Sequence, residues 1–212
     1  MDQKMVTADS GIAGKGATRK LARYAATLSY ESLPPALVEL MKQCVLDTLG
    51  VAIGASTLAE EAGIVADYAR DLGGKPECSI LGFGGKVPAP CAAFVNGSLS
   101  HMLDYDNVSH SGHTSAATVP VAFAIAEKLG GASGRDLITA LACGTDVQYR
   151  LGLSIDIPDW TMAEGWAPTQ LLGFISGAAT AGRMLGLNED LMENAFGIGF
   201  NRDFPLDFYP DG

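Results

Sequence analysis

The sequence is short of basic charge, of histidine and of aromatic rings. Fourteen Lys and Arg stand against 24 Asp and Glu, for a net charge of −10. A general nucleic-acid surface needs Lys and Arg clustered against phosphate. The one basic cluster is Lys15, Arg19, Lys20 and Arg23, which reads as a solvated face of an amino-terminal helix. No nucleic acid is expected as a partner. The four cysteines, Cys44, Cys78, Cys91 and Cys143, lack zinc or redox spacing and read as reduced thiols. Met1 to Thr18 has no continuous apolar core, so no secretory signal is expected there. The uncharged stretch Trp166 to Gly182 is broken by Pro168, Thr169, Gln170, Ser176 and Thr180. It falls short of the ~20 apolar residues of a membrane span. A cytoplasmic protein without a membrane segment is the expectation.

What remains is an apolar, foldable chain. Of its 212 residues, 48% are hydrophobic and 18% charged, enough to bury a core in one domain. Helical spacing of apolar residues predicts helices over Thr18–Tyr30, Ala36–Ala52 and Leu58–Leu72. Further helices are expected over Pro88–Leu103, Ala116–Leu129, Ser133 to about Leu153, Thr169–Leu185 and Glu189–Gly199. Pro34-Pro35, Ser133 with Asp136, and Asn188 mark helix starts. Glycine pairs mark helix ends at Gly73-Gly74 and Gly130-Gly131. Gly50, Gly54, Gly144, Gly173, Gly177 and Gly182 lie in or beside helical patterns, which suggests close helix–helix approach. Only Glu77–Gly82 reads as a strand, and one strand cannot make a sheet. The fold class is all-α, mainly helical. The expected organisation is a flexible arm over 1–17, one helical domain over 18–200, and an irregular tail over 201–212.

The chemistry concentrates between Asn96 and Ser115. All three histidines lie there (His101, His110, His113), with Asp104 and Asp106 between them. Ionisable clusters of this kind mark sites more often than chance. One reading is a metal site, with His101 and Asp104 on one helical face and His110 and His113 adding nitrogens. It lacks a fixed ligand framework such as HExxH. The favoured reading is metal-free acid–base work, in which a histidine carries a proton and an aspartate orients it. Thr114, Ser115 and the start of the following helix would supply donors for an anionic substrate. Gly173-x3-Gly177 reads as helix packing, since no strand precedes it and no Lys-Ser/Thr follows.

The string NGSLSHMLDYDNVSHSGHTSAATVP closely resembles the MmgE/PrpD family. So do LDTLGVAIGAS (Leu46–Ser56) and GWAPTQLLGFISGAATAGRMLGLNED (Gly165–Asp190). The resemblance covers about 18–200. It implies a large all-helical domain and, in typical members, a smaller lid domain. It also implies a homodimer without metal or organic cofactor, and small di- or tricarboxylate ligands. Family activities include 2-methylcitrate dehydration, cis-aconitate decarboxylation and iminodisuccinate epimerisation. By the same resemblance, Asp104 and His113 are the catalytic candidates. His110, which matches an upstream histidine of some members, and Ser115 and Thr169, chosen because they start helices, are the substrate-binding candidates. Three departures stand out. Ala167 occupies the place of a family histidine in Gly-Trp-His-Pro-Thr. By the resemblance the chain is expected to be about half a typical member, with the lid domain absent. Phe200 to Tyr209 fits the family poorly. The expectation is a lyase acting on a citrate- or aconitate-like acid. The competing expectation is a non-catalytic helical module that dimerises or binds a partner.

Overall fold

The computed structural model describes residues 16–154 and 167–203. The arm before residue 16, Pro158, Trp160, Trp166 and the tail beyond residue 203 lie outside them. Eight helices are described: α1 (Ala17–Thr27), α2 (Pro35–Leu58), α3 (Glu61–Asp71), α4 (Ala89–His101), α5 (Thr114–Lys128), α6 (Gly134–Ser154), α7 (Pro168–Met184) and α8 (Glu189–Asp203). A 3-10 turn at Tyr30–Ser32 separates α1 from α2.

Local signals explain the starts. Pro35 opens α2 as its first residue, where a missing N–H costs nothing. Ser133 Oγ accepts the Asp136 N–H at 3.1 Å, and Asp136 Oδ2 accepts from Ser133, completing a capping box. Asn188 Oδ1 accepts the Leu191 N–H at 3.0 Å and caps α8. Two expected boundaries moved outward. Helix α2 runs past Ala52 to Leu58, and α8 runs past Gly199 to Asp203.

The single-strand expectation is corrected by a small hairpin. Strand β1 (Cys78–Ser79) pairs antiparallel with β2 (Lys86–Val87), with Cys78 opposite Val87. Gly82, Gly84 and Gly85 adopt φ of 75°, 66° and 77°, which lets the chain reverse. A two-residue partner strand has no alternation to read in advance.

Helix α5 is the axis of the domain and packs against α4, α6 and α7. Much of the core is alanine. Ala52, Ala55, Ala62, Ala66 and Ala92 surround Val95 and Leu99 in one cluster. Val147, Met192 and Phe196 join Ala22 and Ala25 in a second. The α6–α7 contact is tight. A Cβ at Gly144 would stand 2.0 Å from Thr180 Oγ1 and 2.8 Å from the Ser176 carbonyl. Contact at that distance offsets the ~1 kcal/mol that glycine costs in a helix. Gly50, by contrast, has nothing within 4 Å of its added Cβ, so close approach does not explain it.

The basic cluster is not merely solvated. Arg19 reaches Glu189, Asp190 and Glu193, and Arg23 reaches Glu189, so α1 is tied to α8 by ion pairs. All four cysteines are unpaired, and burial pushes the Cys143 thiol up to about 12. Among the described residues, no helix is long and apolar enough to cross a membrane.

Candidate active site

Two helix ends and the loop between them build the site. Helix α4 stops at His101, and the chain turns through Asp104 at φ 48°. Aspartate tolerates that left-handed conformation better than most residues. The turn is closed by the Asp104 N–H, which donates to the His101 carbonyl at 3.0 Å. The loop then runs to His113, the residue immediately before α5. Gly112 makes the last bend at φ 82°, and a Cβ there would lie 2.5 Å from Thr169 Oγ1. Only glycine fits both the angle and the space.

Four helices pin this loop. From α2, Asp47 Oδ2 accepts the backbone and side-chain N–H groups of Asn107 at 3.0 and 2.9 Å. From α5, Ser115 Oγ donates to Asn107 Oδ1 at 2.9 Å. From α6, the fully buried Gln148 donates to the Ser111 carbonyl at 2.8 Å. From α7, Thr169 Oγ1 accepts the His113 N–H at 2.8 Å. Each bond satisfies a polar group that would otherwise be costly to bury.

Asp106 stands at the centre. Its side chain is 0% exposed. Asp106 Oδ1 lies 2.9 Å from His101 Nδ1, and Oδ2 lies 3.1 Å from His113 Nδ1. The two rings sit 4.3 Å apart between centroids at an angle of 47°. Among the described residues, Asp106 has no Lys or Arg partner. Asp104 lies on the opposite side of His113, with Oδ1 3.8 Å from Nε2 and a side chain 82% exposed. An open cleft of about 320 Å³ adjoins the group, lined by Gly97, Ser98, His101, Met102, Ala116 and Thr169. The first turn of α5 presents backbone N–H groups without helical acceptors, a setting that favours an anion.

The same side chains are also a possible metal-ligand set. One ligand atom from each of His101, Asp104, Asp106 and His113 lies within 4.8 Å of the others. Imidazole and carboxylate suit zinc, iron or manganese.

The five residues singled out in the sequence fall in different places. His113, Asp104 and Thr169 come together as described. Ser115 is buried beneath them, and its hydroxyl is engaged with Asn107. His110 is exposed and makes no hydrogen bond among the described residues, so it stands apart from the group. The orienting contact to His113 Nδ1 comes from Asp106, while Asp104 meets Nε2 from the solvent side at 3.8 Å. Asp47, Asn107 and Gln148 had no signal in the sequence, since each acts across tens of residues. Asp106 lay inside the legible His and Asp cluster, but its spacing from Asp104 gave no sign of which one turns inward, since residues two apart in an extended segment share a face.

Residues 19–206 match the family model described as the MmgE/PrpD N-terminal domain. The chain belongs to the MmgE/PrpD family. Among curated MmgE/PrpD-type relatives, a cis-aconitate decarboxylase of Aspergillus terreus is 29% identical over 199 residues, covering 91% of this chain and 40% of that protein. The cis-aconitate decarboxylase of Homo sapiens is 31% identical over 189 residues, covering 87% and 39%. That of Mus musculus is 30% identical over 191 residues, covering 87% and 38%. The chain therefore spans about two fifths of the length of the curated relatives it matches.

Proposed function

We propose that this MmgE/PrpD chain takes part in lyase chemistry on a citrate- or aconitate-like carboxylic acid, without metal or organic cofactor. One observation carries the reading. His113 stands at the head of α5 with Nδ1 committed to a buried carboxylate, which leaves Nε2 as the working nitrogen, and its ring neighbour His101, 4.3 Å away between centroids, lines an open cleft. The names of the relatives favour decarboxylation. In that reaction the C–C bond to one carboxylate breaks and CO₂ leaves. The electron pair left on carbon then takes a proton from His113 Nε2–H, and solvent replaces it. In a dehydration, His113 Nε2 removes a proton beside a carboxylate, the C–O bond breaks as the C=C bond forms, and the proton taken by His113 passes to the departing hydroxide, which leaves as water. The first turn of α5 and Thr169 hold substrate carboxylates, Asp104 meets the substrate from the solvent side, and His110 stands at the outer edge.

We also propose a homodimer. Phe174 and Ile198 are exposed beside an apolar groove between α4, α5, α7 and α8, which supports association. Four unpaired cysteines support a reducing, cytoplasmic setting.

The test is NMR-monitored turnover of cis-aconitate and 2-methylcitrate by the 212-residue chain. Conversion that His113→Ala abolishes, with an unchanged thermal midpoint, is expected. Stoichiometric zinc or iron in the purified protein would overturn the cofactor-free part. Ala167 favours a second reading, a non-catalytic module that binds a second copy or a longer family member. A folded, associating protein with no conversion would select it.

A further inference from the structure

We propose that Asp106 is a positioning residue that holds His101 and His113 in the same tautomer, so that His101 is a second proton carrier of this site. The roles in turnover rest on the lyase reading above. The tautomer assignment rests on the geometry around Asp106 as an ionised carboxylate.

An ionised carboxylate only accepts hydrogen bonds. Asp106 places one oxygen on each Nδ1, at 2.9 and 3.1 Å. Both Nδ1 atoms must therefore carry hydrogen. A neutral ring protonated at Nδ1 has its lone pair at Nε2. Each ring then has its second nitrogen available for chemistry. His101 lines the cleft, and His113 Nε2 faces the exposed Asp104.

Burial strengthens the assignment. A buried carboxylate needs hydrogen-bond donors or a counter-charge. Among the described residues, the two imidazoles are the only donors Asp106 has. It cannot swing to another partner easily, because its neighbour Asn107 is held by Asp47 and Ser115.

The shared anion has a chemical consequence. When the group holds one extra proton, one ring is cationic, the other is neutral, and the carboxylate balances the charge. One ring then offers an acid at Nε2 while the other offers a base at Nε2. In a dehydration the neutral ring takes the proton from carbon, and the cationic ring protonates the departing hydroxide. The C–H and C–O bonds break, the C=C bond forms, and water leaves. The proton count of the pair is unchanged, with the rings exchanged in role.

The experiment is long-range ¹H–¹⁵N spectroscopy of the imidazoles in the full ¹⁵N-labelled chain. At about pH 9 ordinary imidazoles are neutral. The chain has three histidines, so each ring is resolvable, and exposed His110 is the internal reference. The expected result is that His101 and His113 are both Nδ1–H. In Asp106→Asn, one amide oxygen accepts from one ring while the NH₂ donates to the other. One ring is then expected to switch to Nε2–H, with His110 unmoved. Asp106→Glu is expected to keep both rings as Nδ1–H. An Nε2–H tautomer at either ring of the wild type would overturn the proposal, whether or not the variants fold.

Turnover supplies the second readout. Asp106→Asn and His101→Gln are each expected to lower kcat by about tenfold or more, with KM within about twofold. Asp106→Glu should recover part of the loss. Unchanged kcat in either Asp106→Asn or His101→Gln would also overturn it. The expected tautomers in a protein without turnover would leave Asp106 as the positioning group and sink the lyase reading instead.

Discussion

Two carboxylate-centred clusters hold distant parts of this chain together, and they differ in their partners. At the seam between α1 and α8, Glu189 is met by Arg19 and Arg23, with both arginines well exposed. At the corner between α4 and α5, Asp106 is fully buried and is met by two imidazoles. Arginine stays charged at any working pH, so the seam is a fixed fastening. Imidazole is the side chain best suited to proton transfer, and the corner holds two. Water screens the first cluster, and exposed ion pairs of this kind contribute little. Burial strengthens the second and makes each lost partner costly. The contrast separates an exposed cluster held by guanidinium groups from a buried one held by imidazoles.

The largest expected effect comes from removing the buried carboxylate. Asp106→Ala should abolish measurable turnover and lower stability by about 1–3 kcal/mol, because two ring N–H groups lose their acceptor. Urea denaturation with parallel turnover assays checks both. Glu189→Ala should leave turnover at the wild-type value. If the two variants behaved alike, the distinction drawn above would fail.

Next in size are two glycine substitutions, one near the chemistry and one remote from it. Gly144→Ala would force the α6–α7 contact apart, since its Cβ falls 2.0 Å from Thr180 Oγ1. A loss of about 1–3 kcal/mol is expected, with normal turnover per folded molecule. Gly112→Ala strains a position at φ 82° and presses on Thr169, which holds the His113 N–H. About 1–3 kcal/mol of stability should go, and turnover should fall with it. Denaturant midpoints and kcat per folded molecule distinguish the two cases.

The smallest effect belongs to the seam. A hydrogen bond from Arg23 holds the Glu189 carboxyl below its ordinary value of 4.5. A lowered carboxylate stabilises the folded state above that ordinary value. The contribution is lost as pH falls through the lowered folded value. Glu189→Gln should therefore flatten the acid side of the stability profile slightly and leave the profile above about pH 6 unchanged. Thermal melts between pH 3 and pH 7, read at about 0.15 M salt, would show it.

Most helices were legible because their signals are local. Apolar spacing, Pro35, the Ser133–Asp136 cap, Asn188 and the Gly130-Gly131 stop act within a turn or two of themselves. The hairpin was only half legible, because Lys86-Val87 is too short to carry a pattern. The ion-paired fate of Arg19 was hidden, since its partners Asp190 and Glu193 lie 171 and 174 residues away along the chain. The His and Asp cluster between His101 and His113 was legible as a cluster, and so was the His113 position before a helix. Its internal wiring was not. Sequence resemblance pointed to Asp104, while the structure brings Asp106 onto both rings.

Sequence alone therefore determined the all-helical class and the chain segment that gathers the three histidines with Asp104 and Asp106. Those properties follow from residue type and short spacing. Tertiary structure decided which aspartate turns inward, that Ser115 serves the loop, and that His110 is left outside. Those outcomes depend on Asp47, Gln148 and Thr169, which reach the loop from three other helices. The Thr169 contact spans 56 residues. Which side chain is buried beside another is set by packing at that range, and spacing along the chain carries no record of it.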